Sequence, residues 1–195
     1  MKQLKIAISL FITLMVIVAV IYPLLITSLA ELFFPWQAEG SLIRNSKGEV
    51  IGSNLIGQPF SAQKYFWTRP SATAEFPYNP LASGGSQLGP TNKELIRQIS
   101  ERVRSLMSSP GMAGPIPSDL VMASGSGLDP HISLESALAQ IPRVAGSRGL
   151  DEERLREIVL DNLEGRMFGF LGEPRINVLR LNLTLDVVEV DSHVK

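Results

Sequence analysis

An uninterrupted run of 25 uncharged residues, residues 6–30, is the feature that most limits how this chain can fold. At about 1.5 Å per residue a helix of this length spans roughly 38 Å, enough to cross a hydrocarbon core of roughly 30 Å with some tilt. Residues 32–36, Leu-Phe-Phe-Pro-Trp, follow with the composition of an aromatic belt at a membrane surface. The sequence therefore predicts one transmembrane helix.

A cleavable signal peptide is the alternative for this segment. Ser28, Leu29 and Ala30 have the small-x-small pattern of a cleavage site, and the start of the chain is basic. The apolar run, however, exceeds the roughly 7 to 15 residues of a signal-peptide core. We therefore expect the segment to be retained as an anchor, with Pro23 tolerated inside it and a candidate position for a kink.

The basic residues on either side of the apolar run predict its orientation. Lys2 and Lys5 precede it, and no Lys or Arg follows it until Arg44. The positive-inside rule then places the N-terminus in the cytoplasm and the large domain outside. We expect residues 1–36 to form the cytoplasmic end and the anchor, and residues 37–195 to form a single extracytoplasmic domain.

Composition excludes several classes of function. The chain has no cysteine, which removes disulfide and thiol chemistry, and its net charge of −1 offers no basic surface for nucleic acid. His131 and His193 are the only histidines and lie far apart in sequence, so no metal site is predicted.

Three segments of the domain have the pattern of β-strands. Residues 41–44 and 49–52 flank the turn-rich residues 45–48, which predicts a hairpin. Because two strands alone are marginally stable, the hairpin is expected to join a larger sheet. Its predicted partner is residues 175–186, where leucines alternate with polar residues.

Three helices are predicted between these strands. Thr91 and Glu94 have capping-box spacing before a helix that carries apolar residues up to Leu106. Asp151 is a candidate N-cap for a helix ending near residue 164, with Gly165 after it, and a shorter helix is expected over residues 133–140. The fold class is therefore α+β, one N-terminal transmembrane helix followed by a mixed helix and sheet domain.

Four Gly- and Pro-rich segments are too long and too polar to explain as connectors alone. They are residues 67–71, 78–90, 124–133 and 164–174. In this order behind one N-terminal helix, and followed by residues 177–183, they closely resemble the C subunit of the Kdp potassium-transporting P-type ATPase.

The resemblance implies a non-catalytic accessory subunit of a high-affinity, ATP-driven potassium uptake complex in the bacterial inner membrane. It implies three partners besides the membrane: a channel-like K⁺-translocating subunit, an ATP-hydrolysing P-type subunit and a small single-helix subunit. The residues agree independently, because residues 6–30 carry no charged side chain to line an ion pathway. The chain also lacks the Asp-Lys-Thr-Gly phosphorylation sequence and a Walker phosphate loop.

The loop Ser83, Gly84, Gly85, Ser86, Gln87 invites a more specific hypothesis. It resembles the signature sequence of ABC-transporter ATPases with one extra Ser. The family is also described as a catalytic chaperone that raises the pump's ATP affinity through this loop in a ternary complex, which makes ATP a candidate ligand. Gly-rich backbone can cradle phosphate, and Gln87 could bond a ribose hydroxyl. The alternative is a structural or subunit-contact loop with positive φ at Gly84 or Gly85, and the predicted orientation places it where ATP is absent.

Other candidates lie beside the same Gly- and Pro-rich segments. Asp129 and His131, near several serines, could suggest a free-standing anchored hydrolase, but adjacent loop residues rarely assemble a catalytic triad. Asp129 is simpler as a turn residue, and His131 as a buried, hydrogen-bonded side chain. Arg69 and Arg166 are expected either to hold loops through carboxylates and carbonyls or to dock on a partner subunit.

Overall fold

The computed structural model describes residues 1–45, 47–112 and 114–193, without the side chains of residues 189–193. Contacts divide the chain into two compact units, Met1–Ile51 and Gly52–Lys195. The first contains the long apolar helix, and the second contains most helices and a small sheet. Mixed helices and sheets behind one apolar helix confirm the predicted α+β class.

The apolar segment forms one helical stretch, Lys2–Phe33, with a mean hydropathy of 2.7 in its most apolar window and none of that window buried. It consists of α1 (Lys2–Val16), a π-helical turn (Ile17–Ile21) and α2 (Tyr22–Phe33). The wider turn lies directly before Pro23, and the Tyr22 N–H donates to the carbonyl of Ile17. Pro23 is thus accommodated within the helical stretch, next to a local change of hydrogen-bond register.

A short hairpin follows the anchor. Helix α3 (Pro35–Ala38) ends the apolar region, and the Trp36 indole N–H donates to the carbonyl of Leu42. Strands β1 (Leu42–Arg44) and β2 (Val50–Ser53) pair with each other, which confirms the hairpin. The Asn45 carboxamide oxygen accepts from the backbone N–H groups of residues 47 and 49, while Ser46 in the turn lies outside the described residues. The prediction that this hairpin joins a larger sheet is wrong, because β1 and β2 form a sheet of two strands.

The sheet of the second unit contains three very short strands. They are β3 (His131–Ile132), β4 (Leu163–Glu164) and β5 (Arg175–Asn177), in the antiparallel order β3-β5-β4. Ile176, fully buried at the centre, is paired with Ile132 on one side and Leu163 on the other.

Helices α4 (Lys93–Met107), α5 (Leu134–Arg148), α6 (Glu152–Asp161) and α7 (Val178–His193) supply most of the remaining structure. The main core joins α5, α6 and α7 to the sheet, and a smaller apolar cluster contains Leu106 of α4 with Leu120 and Val121. Leu120 ends a 3₁₀ turn (Ser118–Leu120). A second 3₁₀ turn, Pro80–Ala82, precedes the Ser83–Gln87 loop.

The predicted strand over residues 175–186 is wrong beyond Asn177. The chain enters α7 at Val178, and the Asn177 side chain accepts from the Arg180 N–H, as a helix cap does. Val178, Leu181 and Leu185 are fully buried at helical spacing. Leucines at every second position match strand periodicity, but leucine also favours helices, and packing of the stripe at 178, 181 and 185 decides the outcome.

The helix boundaries are partly confirmed. Asp151 and Ser133 are N-caps, as predicted, but α5 extends to Arg148 and α6 ends at Asp161, so Gly165 does not terminate it. At α4 the cap is Asn92 rather than Thr91, with its side chain accepting from the Glu94 N–H. Glu94 instead pairs with Arg97, so the predicted capping box does not form.

Residues 63–67, which form no helix or strand, lie beside α5 and α7. The Asn182 carboxamide both accepts from the N–H of Phe66 (2.8 Å) and donates to its carbonyl (3.0 Å). The Gln140 carboxamide does the same for Trp67. Arg143 donates to the carbonyls of residues 63 and 65, and its guanidinium lies 3.8 Å from the centre of the Trp67 ring. Buried side chains of two helices thus supply the hydrogen bonds that a neighbouring strand would give, and this segment leads directly to Arg69.

Candidate functional site

The Ser83–Gln87 loop packs against the Gly-rich segment that contains Ser126. The Gly84 N–H and the Ser83 hydroxyl both donate to the carbonyl of Ser126, at 2.9 and 3.1 Å. A Cβ atom on Gly85 would lie 3.1 Å from the carbonyl oxygen of Gly125, and one on Gly127 would lie 2.7 Å from the carbonyl oxygen of Gly84. These glycines are therefore required because two backbones approach closely.

The expected positive φ at Gly84 or Gly85 is not found. In this loop the residue with positive φ is Gln87, at 55°, and its side chain is exposed. Gly84 and Gly85 therefore allow close contact with residues 125–127 and do not form a tight turn. The Gly84 N–H, a candidate phosphate donor, is already bonded to Ser126.

Tyr78 and Ser71 form hydrogen bonds that hold the Ser83–Gln87 loop and residues 124–127, the paired loops, in place. The Ser71 hydroxyl donates to the carbonyl of Gly127 (2.8 Å) and accepts from the N–H of Tyr78 (2.9 Å). The Tyr78 hydroxyl lies within hydrogen-bond distance of Thr68 and of the carbonyl of Arg69. Burial raises the pKa of this hydroxyl, so it remains a neutral bonding group. The loops are therefore built on a rigid hydrogen-bonded base.

Arg69, Asp129 and His131 form one charged cluster at the edge of the sheet. The Arg69 guanidinium contacts Asp129 at 3.0 Å, and the other oxygen of that carboxylate accepts from the His131 N–H and lies 3.1 Å from its Nδ1. The His131 Nε2 lies 3.8 Å from Glu164, which also contacts Arg175 at 3.2 Å. Burial disfavours ionisation of Asp129, but hydrogen bonds from His131 and the charge of Arg69 together lower its pKa below the usual value.

This charged cluster lines an open cleft of about 430 Å³. His131 was predicted to be buried and hydrogen-bonded; its Nδ1 lies 3.1 Å from Asp129, but the side chain is 16% exposed and therefore only partly buried. Asp129 orients the ring as a catalytic carboxylate would, but the second ring nitrogen faces the Glu164 carboxylate rather than a serine. Nearby serines are used locally, since the Ser133 hydroxyl caps α5 and the Ser124 hydroxyl accepts from the Gly127 N–H. The geometry suits holding loops together.

Arg166 lies elsewhere, in the connection between β4 and β5. Its guanidinium contacts Glu173 at 2.7 Å and closes the base of a tight turn. Within the turn, the backbones of Met167 and Leu171 exchange two hydrogen bonds of 2.9 and 3.0 Å. Phe168 and Phe170 project from this turn and are 82% and 71% exposed. The structure thus places the predicted site residues in three groups, which are the Ser83–Gln87 loop, the cluster of Arg69, Asp129 and His131, and this turn. Glu173, the partner of Arg166, lines the same cleft as the cluster.

Sequence reasoning missed several residues that shape the site. Glu164 joins His131 to Arg175, and Gln140 and Asn182 hold the segment before Arg69. The closely spaced Gly165, Gly169 and Gly172, followed by Pro174, were the available signal for a tight turn there. Among the described residues, no group of three His, Cys, Asp or Glu side chains could hold a metal ion.

Comparison with known proteins places the chain in a family. The family model described as K⁺-transporting ATPase, c chain, matches residues 4–187. The potassium-transporting ATPase KdpC subunit of Geobacter sulfurreducens is 53% identical over 188 residues, which cover 96% of this chain and 99% of that protein. The KdpC subunit of Methylococcus capsulatus is 55% identical over 173 residues, covering 88% of this chain and 90% of that protein. That of Sorangium cellulosum is 55% identical over 166 residues, covering 85% and 87%. The match extends through the apolar helix, the paired loops and the turn at residues 166–173, and the chain belongs to the family of K⁺-transporting ATPase c chains.

Proposed function

We propose that this chain works outside the cytoplasm as an accessory subunit that stabilises a potassium-transporting ATPase through protein contacts rather than through chemistry of its own. The observation that carries this is the similarity to KdpC subunits over nearly the whole chain, from the anchor to α7. The proposed partners are a channel-like K⁺-translocating subunit, an ATP-hydrolysing P-type subunit and a small single-helix subunit.

The anchor supports assembly within the membrane. Its apolar window has no buried residue, so its side chains are available to lipid and to partner helices. Ser9 and Thr13 lie one turn apart, and the Thr13 hydroxyl donates to the Ser9 carbonyl, which leaves a small, internally satisfied face. Small and hydroxylated residues of this kind permit close approach of transmembrane helices.

The proposed location is the bacterial inner membrane, with the N-terminus inside and the domain outside. The support is the distribution of basic residues, with Lys2 and Lys5 before the helix and the next one, Arg44, well after it. In this orientation the Ser83–Gln87 loop does not meet cytoplasmic ATP.

For the Ser83–Gln87 loop we propose a structural or subunit-contact role. Its support is the use of the Gly84 N–H by Ser126 and the close packing of Gly85 on residue 125. The catalytic-chaperone hypothesis, with ATP as ligand of this loop, stays a prediction that the Gln87 variant described below addresses.

Two measurements test the proposed function. The full chain is co-expressed with the other ATPase subunits, and it should co-purify with them in detergent and be required for full potassium-dependent ATPase activity. In intact spheroplasts, added protease should then degrade the domain while a cytoplasmic protein stays intact. Failure to co-purify would refute the accessory role, and protection of the domain from protease would refute the orientation and favour the chaperone.

A further inference from the structure

The turn between β4 and β5 exposes an unusual amount of apolar surface for so short a segment. Phe168 is 82% exposed, Phe170 71%, Met167 63% and Leu171 48%. A Phe side chain buries roughly 150–250 Å² when it is covered, so the two rings alone offer about 300 Å². The largest apolar patch on a typical soluble monomer covers about 300–600 Å² and is often functional, so these rings alone reach the lower end of that range. We define these four residues as the aromatic turn.

The aromatic turn has a fixed shape. Met167 and Leu171 exchange two backbone hydrogen bonds, and the Gly169 N–H donates to the carbonyl of Arg166. The ion pair between Arg166 and Glu173 closes the base, and β4 and β5 continue it into the core at Ile176. The rings are therefore presented by a rigid support, which lowers the entropy lost when they are covered.

The backbone at the tip of the turn, Phe168–Gly169, has a conformation that is unfavourable for an aromatic residue. Phe168 has a φ of 54° and Gly169 a φ of 81°. The left-handed region suits Gly and Asn, and it is unfavourable for a bulky side chain. A Phe in this position gains nothing from burial within its own chain, since its ring is exposed. Backbone strain of this kind is concentrated at functional positions.

The shape and charge of the turn distinguish between a lipid surface and a protein as its occupant. The charges at its base are paired, Arg166 with Glu173 and Arg175 with Glu164, so they offer no basic cluster to anionic lipid. Glu173 is 79% exposed beside the rings. A fluid lipid phase requires no particular backbone geometry, whereas a protein pocket rewards a rigid, convex projection.

From these observations, and resting on the proposed accessory function, we infer that the aromatic turn inserts into an apolar pocket on the extramembrane surface of a membrane-spanning subunit of the same ATPase. Its roughly 300 Å² of ring surface is well below the about 800 Å² per partner of a standard interface. The turn is therefore a local anchor of a wider contact, as hot-spot aromatic residues are.

The test uses the full chain assembled with its ATPase. Phe168→Gly removes the ring and suits the positive φ, and combining it with Phe170→Ser removes the second ring. Met107→Ser, at a residue that is 61% exposed at the end of α4, is the matched control. Loss of hot-spot contacts should weaken association about tenfold or more. We expect the double variant to dissociate from the complex at correspondingly lower detergent and salt, and the Met107 variant to behave as the unaltered chain.

A photo-reactive phenylalanine analogue at position 168 identifies what the ring touches. An adduct with a membrane-spanning subunit supports the inference, whereas adducts only with lipid, or only with a second copy of this chain, overturn it. Equal retention of the double variant and the unaltered chain also overturns it, while leaving the accessory function intact. If the unaltered chain itself does not co-purify, the accessory function fails and the inference fails with it. Urea unfolding of the full chain in detergent checks that Phe168→Gly remains folded.

Discussion

Replacement of Asn182 by Leu tests whether the segment before Arg69 is held by side chains of the helices. Asn182 is 2% exposed, and its carboxamide satisfies both the N–H and the carbonyl of Phe66. Leu has a similar shape, so packing changes little, but two buried backbone groups lose their partners. Each unsatisfied group costs about 1–3 kcal/mol, which gives an expected loss of about 2–6 kcal/mol in the free energy of unfolding.

Urea unfolding of the full chain in detergent, followed by the fluorescence of Trp67, measures this loss. Trp36 is replaced by Phe in every sample, so that the signal comes from the tryptophan next to Phe66. With a urea dependence of about 2 kcal/mol per molar, the midpoint should fall by roughly 1–3 M.

Thr184→Ala is the matched control on the same helix. The Thr184 hydroxyl is bonded to the carbonyl of Arg180 in its own helix, so its loss should change stability by no more than about 0.5 kcal/mol. If Asn182→Leu shifts the midpoint by less than about 0.3 M, with an unchanged urea dependence, then the two hydrogen bonds do not hold this segment and the reasoning is wrong.

Four further predictions concern the loops, the anchor and the Asp129 carboxylate. Gln87→Ala should leave the half-saturating ATP concentration of the assembled ATPase within about twofold, whereas loss of a real hydrogen bond to ATP would raise it up to about tenfold. Gly85→Val should impair folding or assembly, measured as yield of complex, because its side chain would meet the backbone of residue 125. Replacing Ser9 and Thr13 together by Leu should reduce co-purification with the membrane subunits, and unchanged yield would show that the domain alone maintains assembly. The lowered pKa of Asp129 means that folding favours its ionised form, so its stabilising contribution is present above the unfolded pKa near 3.8 and is lost as pH falls through the lower folded value. The thermal unfolding temperature, measured between about pH 2 and 5, should therefore fall less with acid in Asp129→Asn than in the unaltered chain.

Local signals were sufficient for part of the fold. Asp151 and Ser133 begin helices because short polar side chains satisfy the first N–H groups, an effect of neighbouring residues that sequence displays directly. The hairpin of β1 and β2 likewise depends on its own turn. The strand predicted over residues 178–185 was wrong because leucine at every second position is compatible with either a strand or a helix. Packing against α6 and the sheet determines which of the two forms.

The candidate site was predictable only as a set of segments. Arg69 and Asp129 are 60 residues apart, and Ser83 is bonded to a carbonyl 43 residues away. Polar contacts at such separations leave no periodicity, so sequence reasoning identified the loops without showing which of them meet. The family resemblance identified these loops as a set, and the structure shows which loops contact each other.

Many buried polar side chains of the domain form hydrogen bonds to backbone that has no regular secondary structure. This use of polar side chains is consistent with an accessory subunit. Its strands are two to four residues long, so sheet hydrogen bonds fix little of the chain. Asn182, Gln140 and Arg143 instead form hydrogen bonds to the backbone of residues 63–67. Ser71 and Tyr78 hold the paired loops in the same way. The exposed surface of the described residues includes loops of defined shape, such as the aromatic turn, and a preorganised surface of this kind is suited to binding partner subunits.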